Sequence, residues 1–337
     1  MSLFENFWVL LSAKVLGLIV VVLGVALVVI YAELKVMAHM QSRIGPYFAG
    51  GRWGWAQPLA DAFKFLQKED LVPAAADRKV FKIAPMVALM GTIGVFVIIP
   101  FSPTLIAQDL DLGIFYALAI GSLSTLAMLM AGWASANKYS LMGGLRAAAQ
   151  MIAYELPLVL AVVGVVIQAG TMSMVGIVEA QAEPVFHLGG VGIHLPYALQ
   201  GQIIGLFIFM AATLAELSRI PFDMPIAESE LVFGYLTEYS GIRFTMFFLG
   251  EYAGMFAMSA IAATLFLGGY YLPGLDSGVF GPVILMGKVG FLVFLMLWFR
   301  ITWPRLREDQ LQSFAWKWLI PLSLVNIAVT AVFKVVL

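Results

Sequence analysis

Cysteine is absent from this 337-residue chain, and charge is scarce: Asp, Glu, Lys and Arg together make up 12% of it. Without thiolates the chain can ligate no iron–sulfur cluster and build neither a disulfide scaffold nor a thiolate zinc site. A balance of 19 basic against 20 acidic residues excludes a nucleic-acid binder built on positive charge. Histidine is nearly missing as well. His39, His187 and His194 fall outside the apolar runs, which leaves paired haem ligation between helices unsupported. His187 and His194 share one loop and read as solvated. No G-x-G-x-x-G fingerprint occurs, and Gly287-Lys288 is followed by Val289 where a phosphate loop needs Ser or Thr.

What is present is apolar: 62% of residues are hydrophobic, and the mean hydropathy is +0.95. A soluble domain carries about a quarter charged residues, and its limited core cannot hide this much apolar side chain. The solvent is therefore largely lipid. A hydrocarbon core ~30 Å thick takes about 20 apolar residues as helix, because backbone groups in lipid must pair internally. Eight runs qualify: 14–31, 82–101, 112–134, 151–170, 197–217, 244–268, 282–303 and 314–336. The fifth is the weakest, with Gln200 and Gln202 in its first turns. The first is too long for a signal peptide and is followed by Glu33-Leu34-Lys35 rather than a small-residue cleavage site.

Lysine and arginine set the orientation. Apart from Lys14, Lys288 and Lys334, the remaining 16 of the 19 basic residues lie in or beside the loops after runs one, three, five and seven. Loops 102–111, 171–196 and 269–281 hold none. In the long first basic loop, Leu59, Ala62, Phe63 and Leu66 recur at helical spacing with Asp61, Lys64, Gln67 and Lys68 between them, as in an amphipathic helix on a membrane surface. The expected fold is an all-α integral membrane protein with eight transmembrane helices and that surface helix, both termini outside. It forms a single membrane domain over 1–337, with cytoplasmic loops 32–81, 135–150, 218–243 and 304–313. No internal repeat or matched pair of broken helices points to a two-fold transporter.

Ionisable residues within lipid are costly and mark function. Four glutamates fall within the apolar runs or at their ends: Glu33 at the inner end of the first, Glu155 one turn into the fourth, Glu216 at the inner end of the fifth, and Glu251 two turns into the sixth. All four lie toward the basic side, which suggests an acidic chamber opening inward. Carboxylates crowded in low dielectric resist full ionisation together, as proton relays require. The following loop, Arg219-Ile220-Pro221-Phe222-Asp223-Met224-Pro225-Ile226-Ala227-Glu228-Ser229-Glu230, continues the acidic theme and is too Pro-rich to be one helix. A helix over Glu230 to Glu238 places those two near one face.

The run Ala215-Glu216-Leu217-Ser218-Arg219-Ile220-Pro221-Phe222-Asp223-Met224-Pro225, with Glu228-Ser229-Glu230-Leu231-Val232 and Thr237-Glu238-Tyr239-Ser240-Gly241, resembles the H-subunit family of proton-pumping NADH:quinone oxidoreductases (respiratory complex I). The mitochondrial counterpart of that family is NADH dehydrogenase subunit 1. Three further blocks agree: Arg43-Ile44-Gly45-Pro46 with Gln57-Pro58-Leu59-Ala60-Asp61; Lys138-Tyr139 with Ile152-Ala153-Tyr154-Glu155; and Arg305-Leu306-Arg307-Glu308-Asp309-Gln310-Leu311. The resemblance covers nearly the whole chain. It implies a multi-pass subunit of the cell inner (cytoplasmic) membrane that binds quinone as substrate and carries no redox cofactor. FMN and iron–sulfur clusters belong to its partner subunits, and its partners are the other membrane and peripheral subunits, quinone and the bilayer. It also implies site residues: Glu155, Glu216, Glu228, Glu230 and Glu251 for proton coupling, and Glu33, Arg43, Asp61, Arg219, Phe222, Asp223 and Glu238 for the quinone chamber. Departures from the family pattern are Leu34 and Lys35 after Glu33, Tyr47-Phe48 after Gly45-Pro46, and Ile226 after Pro225. The alternatives are the membrane subunit of a related energy-converting hydrogenase or other-donor quinone reductase, and a stand-alone ion transporter using the same carboxylates.

Overall fold

A computed structural model describes residues 7–188 and 191–336, and the side chains of 7–185 and 194–335. It holds eight helices or helix pairs long and apolar enough to cross a membrane: Phe7–Met40, Arg78–Phe96, Gly113–Ala134, Lys138–Ala169, Ala198–Glu216, Gly241–Phe266, Ser277–Thr302 and Glu308–Val335. The elements are α1 (Phe7–Met40), α2 (Gln57–Gln67), α3 (Arg78–Phe96), α4 (Gly113–Gly121), α5 (Leu123–Ala134), α6 (Lys138–Ala169), α7 (Met174–Ala182), α8 (Ile203–Glu216), α9 (Glu228–Leu231), α10 (Gly241–Phe266), α11 (Ser277–Thr302), α12 (Glu308–Phe314) and α13 (Ile320–Val336). A two-stranded hairpin, β1 (Phe186–Leu188) and β2 (Val191–Ile193), sits in the loop after α7.

Helix α10 is the axis of the bundle. It packs on α1, α3, α8 and α11, and its alanines and glycines, Ala253, Gly254, Ala257, Ala260 and Ala263 among them, are buried. Without a hydrophobic drive between helices in lipid, such small side chains let backbones approach and gain dispersion contact. Helix α6 is the second pillar, set against α5, α8 and α13. Asn137 caps its start by accepting from the Tyr139 amide at 2.9 Å, and Gly170 closes it in a left-handed turn.

Several boundaries differ from the sequence expectation. Helix α1 continues to Met40, so Glu33 lies inside it rather than at its end. Helix α6 begins at Lys138, so all but the first residues of the expected loop 135–150 are helical and Glu155 is mid-helix. In both cases hydropathy marks the stretch that suits lipid, whereas helices end where capping or a left-handed residue ends them. The third span is two helices meeting at Ser122, and the fifth opens with a wide turn over Ala198–Gln202, where Gly201 has φ 102°. Gln200 and Gln202 are accommodated there by partners. Gln168 Nε2 donates to Gln200 Oε1 at 3.0 Å; Gln202 Nε2 donates to Thr330 Oγ1 at 2.6 Å, and its Oε1 accepts from Asn326 at 2.9 Å. The acidic segment is no continuous helix from Glu230 to Glu238, because α9 stops at Leu231 and Val232 turns left-handed. His194 is half-buried, its Nδ1 2.6 Å from the Ala182 carbonyl oxygen, rather than solvated; the side chain of His187 lies outside the described residues.

Candidate functional site

Five side chains from four segments meet at the end of the bundle that carries the basic loops. Glu33 of α1 is buried and accepts from Arg219 Nη1 at 2.7 Å, from Tyr252 Oη at 3.1 Å and from Arg300 Nη1. Arg219, in the loop after α8, also places Nε 2.7 Å from Glu251 Oε1 and lies 4.4 Å from the Tyr252 ring centroid. Burial opposes its charge, yet Glu251, Glu33 and Tyr252 outweigh that cost and hold the guanidinium firmly ionised. Two guanidinium groups face two carboxylates, so each has an opposite partner beside it where a lone buried charge would stand uncompensated.

The loop that delivers Arg219 is held from several sides. Gln150 of α6 donates to the Ala215 and Phe222 carbonyls, both at 2.7 Å. Phe222 is buried against Tyr154 and stacks on Phe314. Asp223 pairs with Arg305 at 2.8 Å, and Arg305 also reaches Ser229. Arg146 of α6 binds Glu230 at 2.6 Å and Glu308 at 3.4 Å, while Glu238 accepts from Asn137. Burial pushes the Asp223 carboxyl above the usual aspartate range, and Arg305, Arg300 and Arg219 offset only part of that.

Beyond Glu251 the interior opens. A cavity of about 80 Å³ is lined by Glu251, Glu216, Tyr235, Thr92 and Ser124 among apolar neighbours. A second, of about 20 Å³, is lined by Glu216, Glu155, Phe209 and Met258. One water needs roughly 10–15 Å³ of such space, so the first has room for several waters and the second for one. Glu216 borders both. The carboxylates thus run in order Glu251, Glu216, Glu155 between α10, α8 and α6.

A family model described as NADH dehydrogenase matches residues 13–331. The NADH-quinone oxidoreductase H subunit of Anoxybacillus flavithermus (strain DSM 21510 / WK1) is 47% identical over 319 residues, 94% of this chain and 92% of that one. The protein of the same name from Bacillus mycoides (strain KBAB4) is 46% identical over 333 residues, 99% and 96% of the two chains. That from Geobacillus kaustophilus (strain HTA426) is 46% identical over 317 residues, 94% and 92%. The chain belongs to the family of NADH-quinone oxidoreductase H subunits.

Of the twelve residues that the sequence singles out, this member of the H-subunit family brings five together: Glu33, Arg219 and Glu251 in the cluster, then Glu216 and Glu155 along the cavities. Phe222, Asp223, Glu230 and Glu238 serve the contacts that fix the acidic loop, and Glu228 is exposed in the first turn of α9. Arg43 is exposed and donates to Gln41, and Asp61 accepts from Gln57 at 2.9 Å with Lys64 at 3.7 Å. Neither touches the cluster. Helix α2 forms where expected, with Leu59, Phe63 and Leu66 turned outward and Pro58 buried; it packs on α10 through Phe65 and Phe244. Two of the departures lie apart as well: Phe48 and Tyr47 are exposed rings in contact with each other, and Ile226 packs in a side cluster of the core, whereas Leu34 and Lys35 directly follow Glu33 in α1, with Lys35 donating to the Pro46 carbonyl. Sequence reasoning missed Arg300 and Tyr252. Arg300 had a readable signal, being an arginine at the basic-loop end of an apolar run; Tyr252, beside Glu251, had none. Among the described residues no group of three or more His, Asp or Glu stands where a metal ion could be held.

Proposed function

We propose that this chain forms the quinone chamber of a proton-translocating NADH:quinone oxidoreductase of the cytoplasmic membrane and the first stretch of its proton path. Partner subunits deliver the electrons, and quinone takes two of them with two protons. The observation that carries the reading is the succession from the Glu33–Arg219–Glu251–Arg300 cluster through two cavities with room for water to Glu216 and Glu155. Arg219 is the pivot, because it is shared between Glu33 and Glu251. Negative charge arriving in the chamber during quinone reduction competes for the guanidinium. Glu251, losing its counter-charge in a low-dielectric site, then takes up a proton. When the charge is quenched, Arg219 returns and Glu251 passes the proton into the cavity toward Glu216. Tyr235, on the wall of that cavity, is held neutral by burial and by Glu251 and Asp223, so it offers a hydroxyl without adding charge.

The test is Glu251→Gln in the assembled complex. The amide keeps size and hydrogen bonding but carries no exchangeable acid. Quinone reductase activity and proton pumping per assembled complex should fall together, by about tenfold or more, while donor oxidation with an artificial acceptor persists. Full pumping by the Gln variant would remove the carboxylate from the path. Glu155→Gln, which breaks no ion pair, repeats the test where assembly of the first variant is poor.

A further inference from the structure

The two cavities share only three lining residues, Gly121, Glu216 and Met258. These three come from α4, α8 and α10 and form the wall between them. Gly121 contributes backbone alone, and a Cβ there would lie 3.7 Å from Glu216 Oε1, in ordinary contact. Its missing side chain leaves the carboxylate clearance to turn. Met258 is partly buried and ends in a thioether, which neither donates a hydrogen bond nor carries a proton near neutral pH. Glu216 is the one member of the wall able to exchange a proton.

We propose that Met258 is an apolar partition that keeps the two water-sized cavities from joining, so that every proton passing from Glu251 to Glu155 is carried by the Glu216 carboxylate. The proposal rests on the proton-path reading above and assigns a positioning role to a residue that touches no substrate. Its physical basis is dewetting: water crosses a constriction only where polar groups replace its lost hydrogen bonds, and a thioether replaces almost none. A water column running unbroken from Glu251 to Glu155 conducts protons in both directions whatever the state of the quinone. A partition pierced by one carboxylate passes them singly, as that carboxylate turns from one cavity to the other. The flexible, unbranched Met side chain suits the wall, since it yields to the moving carboxylate and closes behind it.

The experiment uses the intact complex in proteoliposomes, with rates normalised to assembled complex. Glu216→Gln should lower pumping and quinone reduction by about tenfold or more. Adding Met258→Ser, which opens the wall and supplies a hydroxyl for water, should raise quinone reduction in the Glu216→Gln background roughly tenfold toward the level of Met258→Ser alone. Adding Met258→Leu instead keeps the wall apolar and should restore nothing. Met258→Ser with Glu216 intact should retain quinone reduction and lose protons pumped per quinone, because the open column lets them return. Equal rates for the Ser and Leu double variants would overturn the partition, as would an unchanged pumping ratio in Met258→Ser. Wild-type pumping by Glu216→Gln alone would overturn the path through Glu216 itself, and with it any need for a wall; the two failures are thereby told apart.

Discussion

Glu33 is the most heavily partnered carboxylate among the described residues, bound by Arg219, Arg300 and Tyr252 while 4% exposed. Removing one member of such a set leaves a buried charge without its counter-ion, which costs about 3–5 kcal/mol. Glu33→Ala should therefore lower the yield of assembled complex sharply, whereas Glu33→Ala with Arg300→Met, which leaves the neutral Arg219–Glu251 pair, should recover much of it; co-purification of partner subunits reads both. Asp223 carries a pH signature. Its folded-state carboxyl binds a proton more tightly than an ordinary aspartate, since burial outweighs the help from Arg305. Proton linkage at Asp223 thus favours the folded loop in full below the ordinary value of about 3.9, and that favour fades as pH rises through the raised one even though the ion pair with Arg305 forms there. Hydrogen exchange of residues 219–227, corrected for intrinsic rates, should show protection falling along that course in the wild type and a flatter profile in Asp223→Asn. Legibility at this scale followed desolvation cost. Glu155, Glu216, Glu251 and Arg219 stood out because charges are rare in or beside apolar runs. Glu230 and Glu238 were equally visible, but their partners Arg146 and Asn137 lie 84 and 101 residues away, and no local pattern shows such pairings.

Among the elements, the acidic loop is the one whose shape depends on close backbone approach. Gly234 has φ 55°, and a Cβ on it would fall 1.8 Å from the Pro225 carbonyl oxygen. A Cβ on Gly143 of α6 would meet Gly234 Cα at 2.6 Å. No rotamer relieves a clash with backbone. Gly234→Ala and Gly143→Ala should each displace the turn that sets Tyr235 on the cavity wall, so quinone reductase activity per assembled complex should fall severalfold while donor oxidation with an artificial acceptor stays. Ala substitution at Gly17, which meets nothing within 4 Å, should change neither. The sequence announced α2 through its period and the eight spans through their length. It hid the true start of α6 and the end of α1, because a helix that leaves lipid continues through Ala-rich or charged sequence until a cap or a left-handed residue stops it. Gly234 and Gly143 carry no signal of their own in the sequence, and in three dimensions they are contact surfaces.

Across the whole molecule the arginines collect at one end. Arg219, Arg300, Arg305, Arg146 and Arg243 gather around the cluster and the acidic loop, where they pair with Glu33, Asp223, Glu230 and Asp70, whereas loop 102–111 has neither Lys nor Arg. If cytoplasmic loops retain basic residues during insertion, the cluster end faces the cytoplasm and receives electrons and protons from that side. The absence of cysteine makes this sidedness directly measurable, since any introduced thiol is the only one in the chain. Position matters for the probe. Ser102 is 1% exposed and its hydroxyl is engaged by the Leu105 amide, so it cannot serve, whereas Thr104, Leu275 and Ser42 are exposed. In intact cells or right-side-out vesicles, Thr104→Cys and Leu275→Cys should react with a membrane-impermeant maleimide, and Ser42→Cys only after the membrane is opened. The reverse pattern would turn the chamber outward. Quinone reduction would then draw its protons from the wrong side, and the carboxylate path from Glu251 to Glu155 would need another role.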